Sequence, residues 1–246
     1  MKISIIIPTY DCGRYIKQAI DSVLNQPYEN KELIVIDGGS SDNTVEILRS
    51  YGERIRWISE KDNGQAGAIN KGFLMAAGKI VAWLNADDYY EPDILSGVAA
   101  EFEKDRGVVM LYGRCRSVFS DGHEYINIPP AQINSRKLIA KGNLIHQPAS
   151  FYRRETVVKA GWLDDKLNYW MEYDLYIKLL LLGRAKYVDR ILADFTVRED
   201  QKSDLKNLLQ MDCELLSISR RYGGAFFSRI RLLAFYHQLK SLFILK

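Results

Sequence analysis

Glu32-Leu33-Ile34-Val35-Ile36-Asp37-Gly38-Gly39-Ser40-Ser41-Asp42-Asn43-Thr44 is the stretch on which the fold turns. Its opening residues form a short, β-branched apolar run, which reads as a strand over Glu32-Ile36. Asp37-Gly38-Gly39 stops that run with turn residues, and Ser41-Asp42 ahead of Thr44-Val45-Glu46 supplies the start signal of a helix. Strand, tight turn and helix make the first half of a crossover, so the neighbouring sequence should continue it as a parallel sheet flanked by helices.

It does so on both sides. Runs at Ile3-Ile7, Ile55-Ser59, Ile80-Leu84 and Val108-Tyr112 read as further strands. Amphipathic spacing predicts helices from about Gly13 to Asn25, Asp42 to Tyr51, Gln65 to Ala77 and Pro92 to Lys104. Gly52 and Gly78 stand where C-caps belong, and Pro92 where a first helical turn tolerates proline. After Tyr112 the rhythm changes: Ser120-Asp121-Gly122 predicts a hairpin, Ser135 to Lys141 a short helix, Ala149-Tyr152 a strand, and Glu172 to Leu182 a helix closed by Gly183. From Ser203 onward two helices broken at Gly223-Gly224 are expected. The chain thus divides into an α/β domain, residues 1–203, with a mostly parallel central sheet, and a basic, amphipathic helical extension, residues 204–246.

Composition narrows the function classes. With 34 basic and 31 acidic side chains the net charge is +3, too small to argue for nucleic acid as a partner. Cys12, Cys115 and Cys213 have none of the paired spacings of a zinc site or redox couple and read as reduced thiols of a cytoplasmic protein. The apolar run at Ile3-Ile7 is cut by Pro8 before a secretory core forms, and no uncharged apolar stretch of roughly 18 residues is present to span a bilayer.

In an open parallel sheet, ligands bind at the carboxyl ends of the strands. Those ends here are Pro8-Thr9-Tyr10-Asp11, Asp37-Gly38-Gly39, Glu60-Lys61-Asp62-Asn63-Gly64 and Asn85-Ala86-Asp87-Asp88. Each Asp-Gly or Asp-Asp segment by itself is equally a turn or a helix cap. Four acidic strand ends converging on one cleft, however, accumulate negative charge that a bound cation relieves most economically. Oxygen ligation with few carboxylates suits Mn²⁺ or Mg²⁺, with phosphate oxygens and water completing the shell. A Gly-x-Gly-x-x-Gly turn after the first strand and a Gly-Lys-Ser/Thr phosphate loop are both absent, so neither dinucleotide nor P-loop chemistry is indicated.

Ile5-Ile6-Ile7-Pro8-Thr9-Tyr10, Glu32 to Thr44, and Leu84-Asn85-Ala86-Asp87-Asp88 together resemble the ordered signatures of family-2 glycosyltransferases of the GT-A fold, a resemblance running from about Ile3 to Ser203. It implies that Pro8, Thr9, Tyr10 and Asp37 hold the base and ribose of a nucleotide-sugar, with Asp37 accepting a uracil imide N–H. It further implies that Asp87 ligates a metal on the diphosphate, while Asn85, Ala86 and Asp88 face ribose and donor sugar. Asn85 stands where many relatives carry the first Asp of the motif, removing one charge. Asn63 to Gly72 resembles the segment leading into the helix under the nucleotide, which brings Gly64 and Asn70 into the nucleotide site; Lys71 either reaches a phosphate or is a solvated helix lysine.

Trp170-Met171-Glu172-Tyr173-Asp174-Leu175 resembles the segment whose earlier acid is the family's catalytic base, and that position falls on Glu172. Both acids also fit the first turn of a helix, where the dipole favours them. An acceptor hydroxyl must lose its proton as it attacks the anomeric carbon, and a carboxylate is the base for that step. The resemblance implies direct displacement with inversion. His146-Gln147-Pro148 resembles a segment beside the acceptor, so His146, Gln147 and Trp170 are candidates for the acceptor side, each with a structural role as the alternative. Arg198 stands where relatives often carry a His, and with Lys202 it becomes a candidate for the diphosphate. The expected function is transfer from a UDP-sugar to a hydroxyl of a glycan or lipid-linked acceptor in surface polysaccharide synthesis. A non-catalytic nucleotide-sugar-binding subunit is the alternative. The stretch Ala225 to Tyr236, apolar with cations and no acids, reads either as a helix lying on the inner face of the cytoplasmic membrane or as one packed on the domain.

Overall fold

The computed structural model describes residues 1–198 and 207–224. Lys202 and the basic stretch from Ala225 onward lie outside these residues.

Strands β1 (Ile3–Thr9), β2 (Lys31–Asp37), β3 (Arg56–Ser59) and β4 (Ile80–Trp83) alternate with helices α1 (Ile16–Leu24), α2 (Thr44–Ser50) and α3 (Gln65–Met75). All three pairings among these strands are parallel: β1 with β2, β1 with β4, and β2 with β3. β1 is buried at every position, which accounts for its unbroken apolar run. β5 (Tyr89–Tyr90), α4 (Leu95–Lys104), β6 (Val108–Phe119), β7 (Glu124–Asn127) and α5 (Ser135–Lys141) follow, then β8 (Ser150–Arg153), α6 (Arg154–Lys159), α7 (Met171–Leu182), β9 (Arg184–Val197) and α8 (Leu208–Arg221).

The sheet order is β3-β2-β1-β4-β8-β6-β9-β5, with β7 hairpinned onto β6. β8 pairs antiparallel with both β4 and β6, β6 and β9 pair parallel, and β5 runs antiparallel to β9. The second half is therefore mixed, because β8 and β5 each run against the strands beside them. Val108-Tyr112, expected as one short strand, continues to Phe119 and carries the hairpin at Ser120-Asp121-Gly122.

Boundary chemistry differs in places from expectation. Asp42 precedes the N-cap Asn43 of α2; it accepts the Thr44 N–H at 2.9 Å, and its other oxygen takes the Gly13 N–H at 2.9 Å, so it ties the first loop to the second. α4 begins at Leu95, beyond Pro92, because Tyr89–Tyr90 is drawn into the sheet against β9. Gly78 is not a helix cap: a Cβ there would lie 2.5 Å from Ser4 Oγ and 2.8 Å from the Lys2 carbonyl, so close backbone approach demands glycine.

Two apolar clusters lie on opposite faces of the sheet. Ile5, Ile7, Val35, Ile20 and Phe102 belong to one; Ile6, Ile34, Trp83, Phe73, Tyr176 and Ile218 belong to the other. Gly72 lets α3 lie directly on β1, since a Cβ there would come within 2.4 Å of Ile6 Cγ2 and 2.7 Å of Cγ1. Alanine usually gains about 1 kcal/mol over glycine in a helix, but overpacking costs about 1–3 kcal/mol. Both branches of Ile6 block the site, so Gly72→Ala is expected to lower the melting temperature; a neutral or raised value in a thermal melt would contradict this packing. Among the described residues no helix is long and apolar enough to cross a membrane.

Candidate active site

The carboxyl ends of β1 to β4 open onto a cavity of about 1240 Å³, and so do the residues before β8 and before α7. From the first group come Pro8, Thr9, Tyr10, Gly64, Asn85, Ala86 and Asp87; from the second come His146, Gln147, Trp170 and Glu172, with Arg198 beyond the end of β9. Sequence positions more than a hundred residues apart thus face one volume, larger than the roughly 300–1,000 Å³ of an ordinary small-ligand pocket.

Three candidates sit elsewhere. Asp37 is fully buried, and its carboxylate accepts the Ser40 N–H at 3.0 Å, the Gly39 N–H at 3.2 Å, the Ser59 hydroxyl at 2.6 Å and the Ser40 hydroxyl. It organises the loop after β2 instead of lining the cavity, and Asp62 at the end of β3 is the acid that reaches the wall there. Asn70 spends its carboxamide on the backbone of Leu163, donating to the carbonyl at 3.0 Å and accepting the N–H at 3.0 Å, which ties α3 to the segment before α7. Asp88 is 1% exposed and accepts the Thr196 N–H at 3.0 Å. Burial, with the neighbouring Asp87 charge, pushes its carboxyl well above the usual carboxylate range. Lys71 pairs with Glu60.

Asn85 has a local rationale. Its Nδ2 donates to Asp88 at 3.3 Å and its Oδ1 accepts from Gln65 Nε2 at 2.9 Å. An aspartate here would set a further charge against Asp88 in a buried setting, so the amide relieves repulsion. Asp87 remains the motif carboxylate on the cavity wall. Arg198 Nε lies 3.4 Å from it, and the guanidinium sits 4.8 Å from the centroid of the Tyr15 ring. Among the described residues no group of three or more His, Cys, Asp or Glu side chains forms a metal cage. The donor set still fits Mn²⁺ or Mg²⁺ of the kind held by one or two carboxylates plus substrate phosphates, Asp87 being the motif carboxylate that faces the cavity.

Glu172, which also lines the cavity, occupies the first turn of α7 and accepts from Asn143 Nδ2 at 3.2 Å. Burial and, secondarily, the charge of Glu214 raise its carboxyl to about 7, against its own backbone N–H and the Asn143 amide, which favour the anion. Asp174 has a different part: it is fully buried and met by Lys178 at 2.7 Å, Arg221 at 3.2 Å and the Tyr222 hydroxyl at 2.8 Å. His146 packs edge-on to Phe195 at 5.8 Å, and burial lowers its pKa, favouring the neutral ring. Gln147 donates to the Trp83 carbonyl at 2.8 Å. Trp170 lines the cavity with its indole N–H on the Met211 carbonyl at 2.9 Å.

Sequence reasoning did not single out Asp62, Asn143 or Glu214. Asp62 had a signal in its place at a strand end; the other two are brought to the site by contacts between segments 29 and 46 residues apart.

The comparisons agree with this geometry. A family model described as "Glycosyl transferase family 2" matches residues 4–160. The chain is 32% identical over 209 residues to a chondroitin synthase of Pasteurella multocida, covering 84% of this chain and 22% of the synthase. It is 31% identical over 204 residues to a hyaluronan synthase of Pasteurella multocida, covering 82% of this chain and 21% of that one. The chain therefore spans about a fifth of the length of these relatives. Among solved structures, S. aureus TarS 1-349 in complex with UDP-GlcNAc superposes with a TM-score of 0.74 at 19% identity, covering 98% of this chain and 73% of that one. A mannosyltransferase from Pyrobaculum calidifontis, in complex with GDP-Man and Mn²⁺, superposes with a TM-score of 0.66 at 15% identity, covering 96% of this chain and 68% of its own. These likenesses establish the GT-A architecture. With the family match running through more than half of the sequence and its motif segments meeting at one cavity, the chain belongs to glycosyltransferase family 2.

Proposed function

We propose that the protein transfers a sugar from a UDP-sugar to a hydroxyl of a glycan or lipid-linked glycan, with inversion at the anomeric carbon. The observation that carries this reading is that the β1 to β4 strand ends and Glu172 line one cavity with room for both a donor and an acceptor. UDP-GlcNAc in TarS and the polysaccharide synthases among the relatives support a UDP-sugar donor and a polysaccharide product.

Tyr10 and the neighbouring strand ends receive the nucleotide, and Asp37 keeps the adjoining loop in place. Asp87 would hold Mn²⁺ or Mg²⁺ together with the diphosphate, where the ion acts as a Lewis acid toward the leaving group. Arg198, already beside Asp87, adds a fixed positive charge for the same oxygens. Glu172 takes the proton of the acceptor hydroxyl as that oxygen attacks, and Trp170 offers a ring face to the acceptor. The stretch from Ala225 onward would bring the enzyme to an anionic membrane surface carrying the acceptor.

The test is donor turnover with a panel of UDP-, GDP- and dTDP-sugars, each with and without Mn²⁺, against oligosaccharide acceptors. UDP-sugars should be preferred. Because Glu172 acts only when ionised and its carboxyl sits at about 7, kcat/KM should rise with pH through about 7 and then level. UDP binding with no turnover of any donor would instead establish a non-catalytic subunit.

A further inference from the structure

α7 starts without a cap of its own: Trp170 stands at the N-cap position and its side chain makes no capping bond. The segment immediately before α7 is instead held from α8. The Glu214 carboxylate takes three consecutive backbone N–H groups, those of Asn168 at 2.8 Å, Tyr169 at 2.8 Å and Trp170 at 2.6 Å. Two more bonds bind the same segments, from the Trp170 indole to the Met211 carbonyl at 2.9 Å and from the Tyr169 hydroxyl to Gln210 at 2.9 Å. One turn into α7, Arg221 and Tyr222 at the other end of α8 hold Asp174, and Arg221 also reaches Asp164 at 2.9 Å. Asn168, Tyr169, Trp170 and Met211 all line the cavity, so the clamped segment is itself a wall of the site.

We propose that Glu214 is a positioning residue for transfer: its carboxylate fixes the 168–170 segment, and thereby Trp170 and Glu172, from a helix beyond the matched family region. This rests on the reading of Glu172 as the base. A surface carboxylate at a helix start is ordinarily interchangeable, but three N–H groups converging on one carboxylate fix both the entry angle of α7 and the height of its first turn. Glu214 also adds a smaller upward push on the Glu172 carboxyl, after that of burial. Among the described residues, the groups that sense or influence the charge of Glu172 include Glu214 from α8, Asn143 from the loop after α5, Tyr152 from β8 and Tyr176 from α7 itself. Of these, Glu214 alone is an acid that raises it.

The experiment compares the full chain with Glu214→Gln and Glu214→Ala. Glu214→Gln keeps one carbonyl acceptor but loses the charge, and the acidic limb of its kcat/KM profile should move to lower pH. Its kcat should fall about 10-fold or more, since small misplacements of reacting groups are expensive, while UDP affinity by calorimetry stays within about 2-fold. Glu214→Ala should speed amide hydrogen exchange at residues 168–170. A pH limb that stays in place with kcat within about 2-fold of the parent overturns the proposal. So does a variant that loses UDP affinity and melting temperature together while kcat per binding-competent molecule is unchanged. Glu172→Gln run beside them separates the two readings: if it retains transfer, the base assignment has failed, and Glu214 is then judged by amide exchange and acceptor KM alone, where unchanged values reject it.

Discussion

Glu172→Gln should reduce transfer by roughly 10²- to 10⁴-fold, the usual contribution of a positioned general base, while leaving UDP affinity intact. The same substitution should make the protein more stable above neutral pH. Burial raises the Glu172 carboxyl from 4.5 to about 7 in the folded chain, so the folded state binds this proton more tightly than the unfolded chain does. The stability that protonation confers is complete below the ordinary carboxylate value and is lost as pH rises through about 7. At pH 8 the wild-type protein holds a poorly solvated anion that glutamine avoids. The difference is about 1–3 kcal/mol, since each pH unit between the folded and unfolded titration midpoints is worth about 1.4 kcal/mol. Thermal melts at pH 5 and pH 8 check this directly: the gain should appear at pH 8 and be small at pH 5. Full activity in Glu172→Gln would remove the base assignment, and an equal melting temperature at pH 8 would show that the anion is better solvated than its burial implies.

The second large effect is expected at Asp87. The neighbouring acid Asp88 is sealed under Thr196 and the residue two before Asp87 is an amide, so Asp87 is the motif carboxylate that a diphosphate-bound cation can reach. Asp87→Asn keeps the shape and removes the charge. Transfer should fall about 10²-fold or more, a loss of several kcal/mol of leaving-group stabilisation. The dependence of UDP affinity on Mn²⁺ should fall with it, measured by calorimetry with Mn²⁺ and with EDTA. If the affinity of Asp87→Asn still responds to Mn²⁺ as the parent does, the ion is held elsewhere. Loss of the Asp87 charge also removes a negative group that would repel the diphosphate, so binding of UDP without metal should not weaken.

The β1 to β4 half of the molecule was legible from sequence because local signals decide it. β1, β2 and β4 are continuous apolar runs, their turns carry Gly and Asp, and parallel pairing through short helices leaves little freedom in the order of strands. The half from β5 onward was harder to read because its pairing is long-range. β9 carries Arg184, Lys186, Asp189 and Arg190 and has no clean alternation, yet its pairing with β6 extends from Val108 to Phe119. β8 inserts against the direction of its neighbours, which no feature of Ser150–Arg153 announces. The same division governs the site. The places of Asp87, Tyr10 and Glu172 on the cavity wall follow from motif and position, whereas the inward turn of Asp37 depends on Ser59 of a neighbouring strand, and the use of Asn70 depends on a backbone 93 residues away.

The clamp between α8 and the start of α7 has a bearing on how this enzyme type is cut and recombined. A graft bounded by residues 4–160 would carry the β1 to β4 half nearly whole, with its four strand ends and their loops. It would leave behind Glu172 and the helix that holds it. On the proposed roles, a chimaera meant to exchange donor preference would be spliced near β4, whereas one meant to exchange acceptor preference would move residues 161–222 as a block, because Glu172 and the α8 side chains bonded to the segment before it are separate in sequence.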